Sequence, residues 1–256
     1  MARAAAFFDL DKTVLATSAS LALSGPLVRS GLISRMDIAR SAQAQLAYHL
    51  LDASHERSER MKEALAEMVT GWSVAEFDAV VADALATEIE PVVFREALDA
   101  MSAHHAAGHD VVIVSASAEA IVRPIMHLLG ADGMIASRLA IEDGRYTGEI
   151  SEYNYGPAKP LAMAEMAERR GWDLAQCWAY SDSVTDEPLL RAVGHPVTVN
   201  PDRALARIAR EEGWEIRIFR RPVPLGTRSG SSALVTVLVV AAVALTVWVV
   251  RRARRR

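Results

Sequence analysis

The first apolar run of the sequence ends in two aspartates, Asp9 and Asp11, within the stretch AAAFFDLDKT at residues 4–13. Residues i and i+2 of an extended segment point to the same side, so both carboxyl groups can reach one small ligand. Two more aspartates, Asp182 and Asp186, follow the apolar run QCWAYS at 176–181. One aspartate at a strand end is usually a turn residue or a helix cap. Four crowded carboxylates instead repel one another unless a cation lies among them, and oxygen donors without a histidine or cysteine cluster suit Mg²⁺.

These residue types fit one particular kind of chemistry. A carboxylate beside Mg²⁺ can attack the phosphorus of a phosphate ester and form an aspartyl-phosphate. The reaction also needs a proton for the leaving oxygen, a cation for the phosphoryl charge and hydrogen-bond donors for the free oxygens. Asp11 could supply the proton, Lys159 the positive charge, and Ser115 with backbone amides the hydrogen bonds. The sequence therefore contains every type of group that phosphoryl transfer requires.

The pattern of the chain predicts the elements that position these groups. Short apolar runs typical of buried parallel strands alternate with helical stretches, which predicts an α/β fold with a doubly wound, mostly parallel sheet. In such sheets ligands bind beyond the carboxyl ends of the strands, where the polar groups would converge. Residues 138–150, which alternate around Asp143-Gly144, predict a β-hairpin. Strands are predicted at 4–8, 110–116, 176–181, 196–200 and 214–219, and helices at 91–107, 117–129, 158–170 and 186–193.

Composition divides the chain into further parts. Residues 17–87 have almost no strand signal and predict a helical insertion, a cap, in a core formed by 1–16 and 88–221. Residues 222–232 are rich in proline, glycine and serine and predict a linker.

An uncharged apolar segment, Ala233 to Val250, lies near the C-terminus and is followed by the basic tail RRARRR at 251–256. As a helix, its 18 residues span roughly 27 Å, close to the thickness of a hydrocarbon core. We expect a transmembrane helix, hence a membrane protein with a single-pass C-terminal anchor and a catalytic domain in the cytoplasm. A buried core helix and an interfacial helix with arginines on anionic headgroups are the alternatives.

Charge and the few reactive side chains exclude other functions. The whole chain has a net charge of −4, but residues 220–256 hold eight arginines and no acidic residue. The remaining body, residues 1–219, therefore has a net charge of −12. An acidic body argues against nucleic acid as a partner. The one cysteine, Cys177, lies in an apolar strand and is expected in the core, and His104, His105 and His109 are expected to cap carbonyls at a helix end.

Four motifs together resemble a known family. In order and spacing, DLDKT at 9–13, VIVSAS at 112–117, Lys159 in YGPAK and SDSVTDEPLL at 181–190 are similar to the signatures of haloacid dehalogenase-like hydrolases. The nearest branch is the phosphoserine phosphatase-like phosphomonoesterases, and the resemblance covers residues 4–219. It implies a Mg²⁺-dependent phosphatase acting on a phosphorylated small molecule or a lipid-linked phosphate. A phosphotransferase with the same intermediate and a catalytically weak, membrane-tethered regulatory module are the alternatives.

The resemblance also implies a role for each motif residue. Asp9 would be the nucleophile and Asp11 the general acid and then base, while Ser115 and Lys159 would bind the phosphoryl group. The helical cap would close over the crevice and select the substrate. Mg²⁺ would be held by the Asp9 carboxylate, the Asp11 main-chain carbonyl and Asp182, with Asp186 as a supporting acid.

Several positions differ from the phosphoserine phosphatase pattern. Ser18 stands where those enzymes carry a glutamate that helps hold the substrate ammonium, and Thr185 stands where they tend to have asparagine. Residues 115–117, Ser-Ala-Ser, replace a segment that tends to contain paired glycines. Ser181 replaces the glycine that usually opens the fourth motif, and it fits there only if its φ is negative.

Overall fold

The computed structural model describes residues 4–33, 66 and 68–222. Seven strands form one sheet in the order β4-β3-β2-β1-β5-β6-β7. All neighbouring pairs are parallel except β3 and β4. The strands are β1 (Ala5–Asp9), β2 (Asp110–Ala118), β3 (Gly133–Glu142), β4 (Arg145–Glu152), β5 (Trp178–Ser181), β6 (His195–Val199) and β7 (Glu215–Arg217).

Strand β1 lies at the centre of the sheet and is buried along its whole length. Its successive side chains enter two different hydrophobic clusters, with Phe8 in one and Phe7 in the other. Both faces of the strand are therefore covered, which is why its sequence is a continuous apolar run and not an alternating one.

Helices cover both faces of the sheet, as the doubly wound prediction requires. The face of Phe8 carries α3 (Arg95–Ala106) and α4 (Glu119–Leu129), and α1 (Ala19–Ser30) and α2 (Val74–Ala84) join the same buried cluster. The face of Phe7 carries α5 (Ala158–Arg170), α6 (Glu187–Arg191) and α7 (Arg203–Glu212). Local signals fix several helix ends. Ser18 accepts a hydrogen bond at the start of α1, and Gly31 adopts a left-handed conformation at its end.

The mostly parallel α/β sheet is confirmed, and three predicted boundaries are corrected. The hairpin turns at Asp143-Gly144, but its first strand begins at Gly133 and pairs in parallel with β2, so it is an edge of the main sheet. Helix α3 starts at Arg95 and not at 91, because Glu90–Val92 forms a 3₁₀ turn and Val93 is extended. The helix predicted at 186–193 is the shorter α6, and α7 was not predicted.

The described part of the predicted cap is helical. Leu23 and Leu27 of α1 and Phe77 and Val81 of α2 share one buried cluster with the face of Phe8. A π-turn at Leu85–Ile89 follows α2. The remainder of 17–87 lies outside the described residues, and the division into core and cap stays a prediction.

The two chain segments that connect α1 and α2 to the sheet lie side by side. Leu15 forms an antiparallel bridge with Val93, and the amide of Ala16 donates to the carbonyl oxygen of Val92 over 2.7 Å. Phe94 forms a second antiparallel bridge with Pro222, where the described chain ends. These contacts form a small ladder at the base of the predicted cap.

Over residues 4–33, 66 and 68–222, no helix combines the length and the apolar character needed to cross a bilayer. The predicted linker beyond residue 222, the transmembrane helix at 233–250 and the basic tail at 251–256 lie outside the described residues.

A histidine network lies near the amino ends of β2, β5 and β6. The Nδ1 atoms of His104 and His109 are 3.0 Å apart, and Nε2 of His104 is 2.9 Å from the hydroxyl of Tyr180. The side chain of His105 pairs with Asp132. The predicted capping role is thus wrong for His104 and His105, since their rings bond to other side chains. Cys177 is fully buried, as expected.

We expect acid to destabilise the fold through His104. Burial, together with the nearby His109, Arg217 and His105, lowers the pKa of His104 from 6.5 to about 4. The unfolded chain takes up a proton near pH 6.5, whereas the folded chain does so only near pH 4. Stability is therefore complete above the upper value and is lost as the pH falls through this window, by up to about 3 kcal/mol.

Urea unfolding at about pH 7 and about pH 5 measures this loss. His104→Gln keeps hydrogen-bonding capacity but has no titratable ring, so its unfolding free energy should depend less on pH. An equally steep dependence in this variant would assign the acid sensitivity to other groups.

Candidate active site

The carboxyl ends of β1, β2 and β5 bring the sequence motifs to one edge of the sheet. Asp9, the last residue of β1, is in register with Val114, so the next residue of β2, Ser115, follows at the same edge. On the other side Phe8 is in register with Tyr180, which places Ser181 at that level. The convergence expected for polar groups at the ends of parallel strands is therefore present.

A buried lysine joins two of the aspartates. The Nζ atom of Lys159, in the first turn of α5, is 2.7 Å from Oδ1 of Asp9 and 2.8 Å from Oδ2 of Asp186. All three side chains are less than a tenth exposed. The hydroxyl of Ser181 also donates to Oδ2 of Asp186, over 2.8 Å. Asp9 and Asp186, 177 positions apart in the chain, are thus linked through a single ammonium group.

The electrostatics of this group favour additional positive charge. Burial raises the pKa of Asp9 well above its ordinary value, Lys159 opposes the rise, and Asp186 and Asp11 add to it. Burial alone would lower the pKa of Lys159, but Asp9 and Asp186 together hold it above its ordinary range. Two carboxyl groups share one ammonium and Asp11 lies near enough to act on Asp9, so a cation placed among the three would stabilise their ionised forms.

Asp11 bridges the first inserted helix and strand β2. Its Oδ1 accepts a hydrogen bond of 2.7 Å from the amide of Ala19 at the start of α1, and its Oδ2 accepts one of 3.5 Å from the hydroxyl of Ser117. Burial raises its pKa, which these hydrogen bonds partly offset. Since Asp11 is only partly buried, a protonated form can exchange its proton with a ligand or with water.

Asp182 lies beside the first motif. The hydroxyl of Thr13 donates to its Oδ1 over 3.4 Å. The pKa of Asp182 is raised to about 6, mainly by burial, with Lys12 opposing the rise and Asp186 adding to it. Lys12 has a left-handed backbone with φ of 63°, which turns the chain sharply after Asp11.

The donor set fits Mg²⁺. Oδ1 of Asp186 is buried and has no hydrogen-bond partner among the described residues. Within the same part of the chain, no three histidine, cysteine, aspartate or glutamate side chains form a ready-made metal cage. Mg²⁺ differs from metals that need such cages, since it is commonly held by one or two carboxylates together with waters and substrate phosphate. The Asp9 and Asp182 carboxylates and the Asp11 main-chain carbonyl match that requirement.

The structure brings the sequence-predicted residues together to different degrees. Asp9, Lys159 and Asp186 are in direct contact. Asp11 and Asp182 reach the site through contacts with Ser117 and Thr13. Ser115 is buried on the neighbouring strand, where its hydroxyl accepts a hydrogen bond of 3.0 Å from the amide of Ser117.

Sequence reasoning missed two hydroxyl groups that contact the carboxylates. Ser117 bonds to Asp11 and Ser181 bonds to Asp186. The sequence places both serines among the polar groups at strand ends, but it assigns neither of them a partner or a role. Their signal was available, because a hydroxyl side chain at the carboxyl end of a buried strand must find a partner.

The protein has a doubly wound α/β sheet, and a buried carboxylate–lysine–carboxylate group lies at the carboxyl ends of its strands. This combination is typical of α/β enzymes whose active site uses aspartates. The family follows from comparison with known proteins. Residues 6–191 match the model of the haloacid dehalogenase-like hydrolases, and the chain belongs to this family. The resemblance inferred from the four motifs is confirmed at this level.

Two relatives are similar to this chain over most of their length. A probable phosphatase of Mycobacterium tuberculosis is 45% identical over 244 residues, which cover 95% of this chain and 85% of the relative. A Streptomyces azureus protein named for inhibition of morphological differentiation is 46% identical over 261 residues, covering 99% and 94%.

A solved structure of a phosphoserine phosphatase with an analogue of its phospho-aspartyl intermediate shares the fold. Its TM-score is 0.61 at 17% identity, and the match covers 87% of this chain and 96% of that chain.

Proposed function

We propose that the protein is a Mg²⁺-dependent phosphomonoesterase that forms an aspartyl-phosphate on Asp9. The observation that carries this proposal is the contact of 2.7 Å between Oδ1 of Asp9 and the ammonium of Lys159. No described residue donates a hydrogen bond to Oδ2 of the same carboxylate, so this oxygen is free to attack phosphorus. The coarser activity, a phosphatase of the haloacid dehalogenase-like family, is supported by the family match and the named relative.

Each residue has a defined part in the reaction. Oδ2 of Asp9 forms a bond to phosphorus while the ester P–O bond breaks, and the bonding electron pair goes to the leaving oxygen. Asp11 gives its proton to that oxygen and then, as a carboxylate, takes a proton from water. The water oxygen attacks phosphorus, which releases inorganic phosphate and the free Asp9 carboxylate.

The remaining groups stabilise charge. Lys159 neutralises negative charge on the phosphoryl oxygens during both steps, and Ser115 and backbone amides donate hydrogen bonds to the same oxygens. The Asp9 and Asp182 carboxylates and the Asp11 main-chain carbonyl would hold Mg²⁺, which would supply further positive charge to the phosphoryl group. Ser18 accepts a hydrogen bond from the amide of Leu21 as the cap of α1. A serine at this position offers no carboxylate to a substrate ammonium, which supports a phosphomonoester substrate that is not restricted to amino acids. We propose that the helices of 17–87 close over this crevice.

Phosphate release from a panel of esters tests the activity. We expect the purified protein to hydrolyse aryl phosphate and at least one phosphorylated metabolite or phospholipid with Mg²⁺, and to lose this activity in EDTA. Hydrolysis that persists without a divalent cation, or no hydrolysis of any ester, would contradict the proposal.

We also propose that residues 233–250 tether the enzyme to a membrane and so favour substrates at its surface. Support comes from the uncharged apolar sequence with arginines on both sides. Deleting 229–256 should lower the turnover of a phosphate ester carried in vesicles at least about tenfold, because the tether raises the local enzyme concentration, while soluble aryl phosphate is hydrolysed as before. An equal loss with both substrates would remove this proposal's support.

A further inference from the structure

Ser181 occupies a position that places a neutral hydroxyl inside the charged site. It is the last residue of β5 and is fully buried. Its hydroxyl donates to Oδ2 of Asp186 over 2.8 Å and accepts a hydrogen bond of 3.3 Å from the amide of Ser183. Its φ is negative, so the backbone does not require glycine here. Both hydrogen-bonding capacities of the hydroxyl are therefore used, and one of them acts on a charged group.

Asp186 depends on this hydroxyl for its orientation. The carboxylate is almost fully buried, and both of its hydrogen bonds are made by Oδ2, one with Ser181 and one with Lys159. Oδ1 has no partner among the described residues. The two donors on one oxygen fix the plane of the carboxyl group, which leaves the other oxygen available to a cation or to its bound water.

The two hydrogen bonds to Asp186, from Lys159 and from Ser181, are expected to behave differently during turnover. Lys159 is shared with Asp9, and its ammonium must also balance a phosphoryl group once the substrate is bound. The bond from Lys159 to Asp186 is thus expected to change as charge moves through the site. Among the described residues, the Ser181 hydroxyl forms no hydrogen bond with Asp9 or Asp11, so its hydrogen bond to Asp186 can persist throughout the reaction. A hydrogen bond to a charged acceptor is also stronger than one between neutral groups.

We propose that Ser181 is a positioning residue that holds Asp186, so that Asp186 keeps Lys159 directed at Asp9 and keeps its own Oδ1 available for Mg²⁺ binding. The catalytic part of this inference rests on the proposed function. The positioning of Asp186 shares with the proposed function only the binding of Mg²⁺ and does not depend on the aspartyl-phosphate step.

Ser181→Ala removes the hydroxyl without adding bulk. We expect kcat on aryl phosphate to fall about tenfold with little change in KM, since a transition-state contact is weakened and not substrate binding. Calorimetry with Mg²⁺ alone should show an affinity lowered severalfold. Ser181→Thr keeps the hydroxyl and should recover most of both losses. If the alanine variant does not fold, Ser181→Cys, with a weaker donor, should give intermediate values.

Thr198→Val provides a matched control. Thr198 is also fully buried and is in register with Ser181 on the adjacent strand, but its hydroxyl donates to the main-chain oxygen of Glu215. Its loss should lower thermal stability without changing kcat or the affinity for Mg²⁺. An Ser181→Ala variant that behaves in the same way, less stable but fully active, would overturn the positioning role.

A double-mutant cycle identifies the residue through which Ser181 acts. In an Asp186→Asn background, Ser181→Ala should lower kcat less than about twofold further, because the carboxylate that it positions is already absent. Equal effects in both backgrounds would overturn the proposal. Its outcome is separable from that of the proposed function: the Mg²⁺ affinity of Ser181→Ala tests the positioning, whereas phosphate release by the unmodified protein tests the enzyme activity.

Discussion

Replacing Asp9 with asparagine should abolish Mg²⁺-dependent phosphate release and lower kcat by at least about a thousandfold. The amide cannot attack phosphorus as a carboxylate does, yet it has almost the same shape, so the fold should persist. Acid-quenched enzyme should gain the mass of one phosphoryl group when Asp9 is present and none when it is replaced. Phosphate release under steady-state conditions and mass spectrometry of the quenched protein measure the two effects.

Asp143→Asn is the matched control for this experiment. Asp143 lies in the exposed hairpin turn with φ of 49°, a conformation that asparagine tolerates well. This variant removes the same charge and should retain full activity. A phosphorylated Asp9→Asn protein, or one with undiminished turnover, would refute the assignment of the nucleophile.

Replacing Lys159 with methionine should damage both activity and stability. The variant leaves the buried carboxylates of Asp9 and Asp186 without their shared cation, and breaking a buried ion pair from one side costs about 3–5 kcal/mol. We expect kcat to fall at least about a hundredfold, because the phosphoryl oxygens lose a fixed positive charge. Urea unfolding and steady-state kinetics measure the two losses separately.

The double variant Lys159→Met with Asp186→Asn separates these effects. Removing one of the stranded carboxylates should restore part of the unfolding free energy but none of the activity. If the single variant instead unfolds like the unmodified protein, the Asp9–Lys159–Asp186 contacts do not contribute to the stability of the fold.

The central part of the site could be predicted from the sequence because a polar residue directly after an apolar run marks the end of a buried strand. Asp9 interrupts a run that is apolar on both faces, so the end of β1 and the position of its carboxylate are both visible in the sequence. The same reasoning locates Ser115 and Asp182. Lys159 is different, because its local sequence only shows that it lies near the start of a helix. Its position between Asp9 and Asp186 depended on the family resemblance and on tertiary packing.

Other features could not be read from local patterns. The first half of β3 was missed because pairing with β2, and not an alternating pattern, makes residues 133–137 a strand. Helix α6 ends at Arg191, and soon afterwards the amide of Gly194 donates to the carbonyl oxygen of Leu174, a tertiary contact that local sequence does not reveal. Helix α7 has a clear cap at Asp202, which accepts hydrogen bonds from the amides of Ala204 and Leu205, and attention to that signal would have found it.

The bridge between Leu15 and Val93 has an evolutionary consequence. Because the chain leaves the sheet and returns to it at adjacent points, the segment between them can lengthen, shorten or diverge without moving β1 or β2. We infer that selection can alter the choice of ester through this inserted segment while the acid–lysine machinery stays fixed. The inserted segment and the core can therefore change in sequence at different rates within a single gene.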